Sequence, residues 1–159
     1  MKNLLAAHGP NTPILFTGHS LGGALATFAA IDIKRTLKPA GTLKFYSFGS
    51  PRVGNQVFTD YFTNSLPNVY QRVTHYTDVV VQIPPRQMGF NHPGNEAWYY
   101  DSNTLLHKIC ENNAGSLEST ACSDSYLFTT GIDAHLHYLG KPISNMCTVR
   151  GVRSFDSIY

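Results

Sequence analysis

The sequence predicts an α/β fold in a single domain over residues 1–159, with a mainly parallel sheet and helices on both of its faces. Segments with strand character alternate with segments of helical spacing along most of the chain, which is typical of parallel strands covered by helices. Of the 159 residues, 42% are hydrophobic and 14% are charged, which indicates a globular protein with a real core rather than a disordered chain.

The first strand and the first long helix follow each other directly. An apolar run with strand character covers Ile14–Thr17, and helical spacing extends from about Leu21 to Leu37, where Pro39-Ala40-Gly41 ends it. Five apolar residues share one face of this helix: Leu21, Ala24, Leu25, Phe28 and Ile31.

The later elements are predicted from the same spacing rules. In chain order they are a strand at Thr42–Phe48, a helix at Asn55–Leu66, a strand at Val69–His75, a late strand pair at Trp98–Asp101 and Thr104–Cys110, and a helical turn over Asp133–Leu139.

The turn between the first strand and the first long helix reads Gly18-His19-Ser20-Leu21-Gly22. A strand, a tight turn and a helix around G-x-S-x-G form the nucleophile elbow of an α/β-hydrolase fold. The two glycines leave room for a strained turn that lifts the serine hydroxyl out of the backbone, and they let the helix and the strand approach closely. Ser20 is therefore the candidate nucleophile.

A serine hydroxyl becomes a good nucleophile when a neutral histidine takes its proton and a carboxylate orients that histidine. In this fold the chain order is serine, acid, histidine. Asp78 suits the acid position, because it follows the third strand and precedes the apolar Val79-Val80-Val81. Asp60 lies on a predicted helix, and Asp101 and Asp124 lie in polar loops, so these three are weaker candidates.

Four histidines follow the candidate acid. His92 lies in an Asn-His-Pro turn and His107 in a run with helical spacing at Leu105–Lys108, so both are assigned structural roles. His135 and His137 lie near the end of the chain, where the base belongs. Spacing alone does not choose between these two.

Composition argues against several other functions. The net charge is +2 and no lysines or arginines cluster, so we expect no nucleic-acid partner. No apolar stretch approaches the roughly 20 residues of a membrane span, and the apolar run in Met1–Pro10 is too short for a secretory signal. The histidines lack metal-ligand spacing with supporting acids or cysteines, so we expect no metal and no cofactor.

Several segments resemble, in the same order, segments of the class 3 lipases, the family of fungal secreted triacylglycerol lipases. The resemblance covers nearly the whole chain. It is carried by Gly18–Ala24, Phe48–Asn55, Arg72–Pro85, Gly89–His92 with Glu96 and Trp98, and Ala134–Gly140, which is similar to the family's H-L-x-Y-x-G segment.

The resemblance implies a serine carboxylic-ester hydrolase that acts on lipid esters such as triacylglycerol, at a lipid–water interface and outside the cell. It assigns Ser20 as the nucleophile, Asp78 as the acid and His135 as the base. It also implies that the Leu21 backbone N–H supplies half of the oxyanion hole, and that His19 packs and hydrogen-bonds. Feruloyl esterases share this scaffold, so hydrolysis of aromatic cell-wall esters is the alternative within the enzyme class.

Family members carry about as much sequence again before the elbow, whereas seventeen residues precede it here. The resemblance therefore implies a C-terminal portion of a lipase. Such a portion lacks the first strands, the lid, and the loop that gives the other half of the oxyanion hole. The alternative from another class is an inactive fragment or a non-catalytic binding remnant.

Three cysteines give a further expectation. Cys110 and Cys122 bracket a loop of asparagine, glycine and serine, and we expect them to close it as a disulfide. Cys147 resembles the family cysteine that bridges to the N-terminal part, so we expect it to lack its partner. The alternative is three free thiols in a cytosolic protein.

Four apolar residues beside the candidate acid and base are candidates for lining an acyl-chain groove: Val79, Ile83, Pro84 and Ile143. Core packing would use the same residues equally well. His75, at the end of the third strand, is assigned a hydrogen-bonding role.

Overall fold

The computed structural model describes residues 1–67, 70–102, 105–111, 115, 117–126 and 131–143. The helices are α1 (Lys2–His8), α2 (Leu21–Leu37), α3 (Gln56–Ser65) and α4 (Ile132–His135). The strands are β1 (Ile14–His19), β2 (Leu43–Phe48), β3 (Gly54–Asn55), β4 (Tyr70–His75), β5 (Phe90–Asn91), β6 (Asn95–Tyr99), β7 (His107–Cys110), β8 (His137–Tyr138) and β9 (Lys141–Pro142).

A five-stranded sheet organises the fold, in the order β1-β2-β4-β6-β7. The first four strands are parallel to one another, and β7 is antiparallel to β6. Two small antiparallel pairs, β3–β5 and β8–β9, lie outside this sheet. The prediction of an α/β fold with a mainly parallel sheet is confirmed. Because the carboxyl ends of parallel strands meet at one edge, the loops after β1, β2 and β4 converge there.

The main core lies between one face of the sheet and the two long helices. It is formed by inward-facing residues of β1 and β2, by residues of α2 and α3, and by the residue that follows α3: Ile14, Phe16, Leu43, Phe45, Ala26, Ala30, Phe62 and Leu66. Helices α2 and α3 therefore cover the same face of β1 and β2. On the opposite face Leu15 is 58% exposed and Tyr46 is 43% exposed.

Helix α2 has the predicted bounds, but its buried face consists of small residues. The buried positions are Gly23, Ala24, Ala26, Thr27 and Ala30, which let the helix backbone lie close to the sheet. Of the five apolar residues that the spacing groups on one face, Leu21, Leu25 and Phe28 are exposed. Close backbone packing, rather than the size of the apolar side chains, selects the buried face.

Several boundaries differ from the prediction. Strand β6 begins three residues earlier than the predicted strand, at Asn95. The helical spacing around His107 is misleading, because His107 begins β7 and its ring stacks on Tyr99 with the centroids 5.0 Å apart. The predicted C-terminal helical turn ends at His135 and continues as β8. Pairing with a neighbouring strand outweighs the local spacing in both places.

The disulfide between Cys110 and Cys122 is confirmed, with the two Cα atoms 6.2 Å apart. Both cysteines are buried against Trp98, and Tyr126 packs on this cluster. The bond therefore fastens the segment around residues 117–126 to β7. Cys147 lies outside the described residues.

Candidate active site

Ser20 occupies the sharp turn between β1 and α2. Its backbone has φ 56° and ψ −129°, a strained conformation for a residue with a side chain. The Ser20 N–H donates to the carbonyl of Phe48 over 2.9 Å, which fixes the turn against the end of β2. Ser20 is half-buried. This strand–turn–helix geometry is the one that the G-x-S-x-G pattern predicts.

The glycines around Ser20 have different roles. A Cβ at Gly18 would lie 2.2 Å from the carbonyl oxygen of Gly22, and one at Gly23 would lie 2.8 Å from Ser50 Cβ. A Cβ at Gly22 would meet nothing within 4 Å. The close approach of helix and strand therefore requires Gly18 and Gly23, and the expectation that Gly22 provides it is wrong.

Leu21 is the first residue of α2, and its side chain is 67% exposed. The first N–H groups of a helix have no carbonyl partner within the helix, so the Leu21 N–H is available to an oxygen beside Ser20. The position suits the oxyanion donor that the resemblance implies.

Asp78 follows β4 and is 1% exposed. Its Oδ1 accepts a hydrogen bond from the Val80 N–H over 2.8 Å, which fixes the carboxylate within its own turn. The His135 ring lies against it, with Nδ1 2.9 Å from Oδ2 and 3.1 Å from Oδ1. His137, which the sequence left as an alternative to His135, is exposed and its Nδ1 lies 2.9 Å from the carbonyl of Asp133.

His19 links His135 to the elbow. Its Nε2 lies 2.9 Å from the carbonyl of His135, and the two rings lie with their centroids 4.5 Å apart. Burial, together with the charge of His135, lowers the pKa of His19. His19 is thus a packing and hydrogen-bonding residue. Through it, the helix that carries His135 is docked against the residue that precedes Ser20.

Tyr138 is a site residue that the sequence analysis did not identify. Its hydroxyl donates to Asp78 Oδ2 over 2.5 Å, and the side chain is 3% exposed. Burial and then the charge of Asp78 raise the pKa of Tyr138 well above its usual value, so it stays protonated as a donor. The only available signal was its position, three residues after His135 in the H-L-x-Y-x-G segment.

The segment after Asp78 is held by Arg52, a second residue that the sequence analysis did not single out. Its guanidinium donates to the carbonyls of Gln82 over 2.6 Å and Pro84 over 3.1 Å. It also pairs with both carboxylate oxygens of Glu118, at 2.7 and 3.0 Å, and with Asp124 at 3.0 Å. Arg52 is 4% exposed. Arg52 therefore links the segment after Asp78 to the segment that the disulfide fastens to β7.

His92 and Glu118 complete this buried network. His92 Nε2 lies 2.9 Å from the carbonyl of Val81, and Glu118 accepts the His92 backbone N–H over 2.8 Å. Burial lowers the pKa of His92 to about 3, and nearby Arg72 acts in the same direction. Burial alone would raise the pKa of Glu118, but His92, Arg52 and Arg72 outweigh it and lower that pKa to about 2. The assignment of His92 to a structural role agrees with this environment.

The other candidate acids lie elsewhere. Asp60 accepts hydrogen bonds from the Gln56 side chain and the Gly115 N–H. Asp124 pairs with Arg52 and Arg86. Neither is placed against His135.

His75 has the predicted hydrogen-bonding role, with its Nδ1 2.9 Å from the carbonyl of Ala134. The four candidate groove residues are half-buried or exposed: Val79, Ile83, Pro84 and Ile143. A role in substrate binding stays a prediction for all four. Within the described residues, no group of three or more histidines, cysteines or acids could hold a metal ion, and no helix is long and apolar enough to span a membrane.

Comparison with known proteins adds the family. A family model described as Lipase (class 3) matches residues 1–88. A lipase of Rhizopus niveus is 39% identical over 141 residues, which covers 87% of this chain and 34% of that protein. Secreted mono- and diacylglycerol lipase 1 of Fusarium solani is 42% identical over 137 residues, covering 81% of this chain and 38% of that protein.

A solved triacylglycerol lipase, described as having a serine protease triad at its catalytic centre, superposes with a TM-score of 0.76 at 32% identity. The superposition covers 87% of this chain and 51% of that structure. The chain thus spans about a third of the length of the two curated relatives and about half of the solved structure.

Proposed function

This chain belongs to the class 3 lipase family, and we propose that it carries the nucleophile, acid and base of an enzyme that hydrolyses lipid esters. One observation carries the proposal. The buried Asp78 carboxylate holds His135 by its Nδ1, and His135 is docked through His19 against the strained turn that presents Ser20.

The proposed reaction is acyl transfer through an acyl-enzyme. Ser20 Oγ attacks the ester carbonyl while His135 Nε2 takes its proton, and His135 then gives that proton to the leaving alcohol. Asp78 keeps the Nδ1 proton of His135 pointing toward the carboxylate and stabilises the imidazolium that forms. The Leu21 N–H donates to the developing oxyanion. Water, activated by His135, then releases the carboxylic acid.

Among the described residues, the hydrogen bonds of the His135 ring go to Asp78, and none joins it to Ser20. Catalytic hydrogen bonds are often long without substrate and tighten when it binds. The proposal therefore expects the Ser20–His135 hydrogen bond to form when substrate binds.

The proposed substrates are glycerol esters of fatty acids, acted on outside the cell. Support comes from relatives named as secreted mono- and diacylglycerol lipases and from a solved triacylglycerol lipase with a similar fold. The disulfide between Cys110 and Cys122 is consistent with an oxidising compartment.

The test is a panel of esters: emulsified tributyrin, a long-chain diacylglycerol, 4-nitrophenyl butyrate and methyl ferulate. We expect hydrolysis of the glycerol esters to exceed that of methyl ferulate. Ser20→Ala is expected to lower kcat/KM by at least about 10⁴-fold, because it removes the nucleophile. The control is Ser125→Ala, an exposed serine, which should leave the rates unchanged. A preference for methyl ferulate would favour the feruloyl-type alternative, and activity that survives in Ser20→Ala would contradict the proposal.

A further inference from the structure

We infer that Tyr138 is a positioning residue for the proposed reaction, whose hydroxyl holds the Asp78 carboxylate in place and weakens its attraction for the Nδ1 proton of His135. The inference rests on the proposed function for its consequence in catalysis. Its physical basis, the hydrogen bond from Tyr138 to Asp78, is independent of any substrate.

One carboxylate oxygen is shared between two partners. Asp78 Oδ2 accepts the Tyr138 O–H over 2.5 Å and lies 2.9 Å from His135 Nδ1. Oδ1 is occupied by the Val80 N–H at 2.8 Å. With donors on both oxygens, the carboxylate cannot rotate without losing a hydrogen bond. The orientation of the Asp78 carboxylate plane relative to His135 is therefore fixed.

The Tyr138 ring is held so that its hydroxyl has little freedom. It packs edge-on against the rings of His19, Phe48 and His75, with centroid distances of 5.4, 6.2 and 5.7 Å. At Gly49, which has φ +56°, an added Cβ would lie 2.8 Å from the Tyr138 hydroxyl oxygen and 2.9 Å from Asp78 Oδ2. The backbone at Gly49, directly after β2, thus lies against the hydrogen bond between Tyr138 and Asp78.

A neutral hydroxyl that donates to a carboxylate withdraws part of its negative charge. Asp78 then attracts the Nδ1 proton of His135 less strongly, and the imidazolium beside it is less stabilised. The donor thus weakens the attraction of Asp78 for the Nδ1 proton of His135, the ring that must be neutral to accept the Ser20 proton. Loss of the hydroxyl should make His135 protonate at higher pH.

Other titratable groups face this pair. They are His19 from β1, His75 from β4 and Glu96 from β6, the last acting on Tyr138 through its charge. All three remain in place when only the hydroxyl is removed. Tyr138→Phe removes the hydrogen bond to Asp78, together with the backbone hydrogen bond of His75 to the same hydroxyl, and leaves the charges of these three groups in place.

The experiment is an NMR titration of the His135 ring in the unaltered chain and in Tyr138→Phe. The signals of His135 are identified by their absence from the spectrum of His135→Gln. We expect the titration midpoint of His135 to rise by about half a pH unit or more in Tyr138→Phe. Tyr126→Phe is the matched control, because Tyr126 packs on Trp98 and Tyr76 instead. An unchanged His135 midpoint in folded Tyr138→Phe would overturn the inference.

A second substitution retains the ring packing. Replacement of Tyr138 by 3-fluorotyrosine makes the hydroxyl a stronger donor, so the His135 midpoint should fall rather than rise. This variant tests the inference if Tyr138→Phe does not fold. A lower His135 midpoint supports the inference, and an unchanged midpoint overturns it.

The kinetic readout separates this inference from the proposed function. If the chain hydrolyses esters, the acid limb of its kcat/KM profile should move with the NMR midpoint, whereas a purely structural role would lower the rate at every pH equally. If the chain is inactive, the proposed function fails, and the NMR titration still decides what Tyr138 does.

Discussion

Ser20 is one of the residues at which the fold accepts backbone strain, since its φ is positive. A serine at φ 56° and ψ −129° is kept there because β1, the Phe48 carbonyl and the first turn of α2 fix it from three sides. Strain of this kind costs of order 1–3 kcal/mol and persists where the surrounding structure enforces it. The strained turn places Ser20 directly before α2, beside the Leu21 N–H, which has no carbonyl partner within the helix.

This geometry predicts a contrast between two neighbouring glycines. Gly18→Ala should destabilise the fold by about 1–3 kcal/mol, because its Cβ would lie 2.2 Å from the Gly22 carbonyl oxygen. Gly22→Ala should be neutral or stabilise by up to about 1 kcal/mol, since its Cβ meets open space within a helix. The measurement is urea denaturation of both variants. Equal effects of the two substitutions would contradict the described packing of the turn.

At the level of elements, a buried ionic network holds the segment after Asp78, residues 79–84, in place. Arg52, four residues after the end of β2, donates to the backbone carbonyl of Gln82 and pairs with Glu118 and Asp124. Those two carboxylates belong to the segment that the Cys110–Cys122 disulfide fastens to β7. The geometry of the candidate acid therefore depends on three separate parts of the chain.

The network makes the fold sensitive to acid. Both His92, with its pKa lowered to about 3, and Glu118, with its pKa lowered to about 2, bind a proton more weakly in the folded chain than in the unfolded chain. Stability is therefore complete above the unfolded pKa of histidine, about 6.5, and is lost as the pH falls toward the folded values. His92 alone contributes up to about 1.4 kcal/mol per pH unit within that window.

The measurement is the free energy of unfolding between pH 7 and pH 4. His92→Gln should make the free energy of unfolding depend less steeply on pH. The difference in slope corresponds to the uptake of as much as one proton on unfolding. His8→Gln, an exposed histidine in α1, should leave the dependence unchanged. A slope that stays the same in folded His92→Gln would show that His92 protonates equally in the folded and unfolded chains.

The elements differ in how far the sequence predicts them. The bounds of α2 follow from its spacing and from Pro39 and Gly41, and the elbow follows from its glycines. The buried face of α2 does not, because Leu25 and Phe28 look like core residues until the close packing at Gly23 is known. The hydrogen bonds of Arg52 to Glu118 and of Tyr138 to Asp78 join positions 60 or more residues apart, which no local pattern reveals.

At the scale of the whole molecule, the loops that carry Ser20, Asp78 and His135 meet at the carboxyl ends of β1, β2 and β4. The order of these residues in the chain is that of the α/β-hydrolase fold. Within the described residues β1 lies at one edge of the sheet, and Leu15 and Tyr46 are exposed beside it. We expect Ser20 to be activated as a nucleophile in this chain.

Labelling with a fluorophosphonate, followed by intact-mass analysis, tests that claim most directly, because the probe requires an activated serine and no knowledge of the natural ester. We expect one adduct on the unaltered chain, none on Ser20→Ala or His135→Gln, and unchanged labelling of Ser125→Ala. A folded chain that forms no adduct, or an adduct that persists in Ser20→Ala, would contradict it.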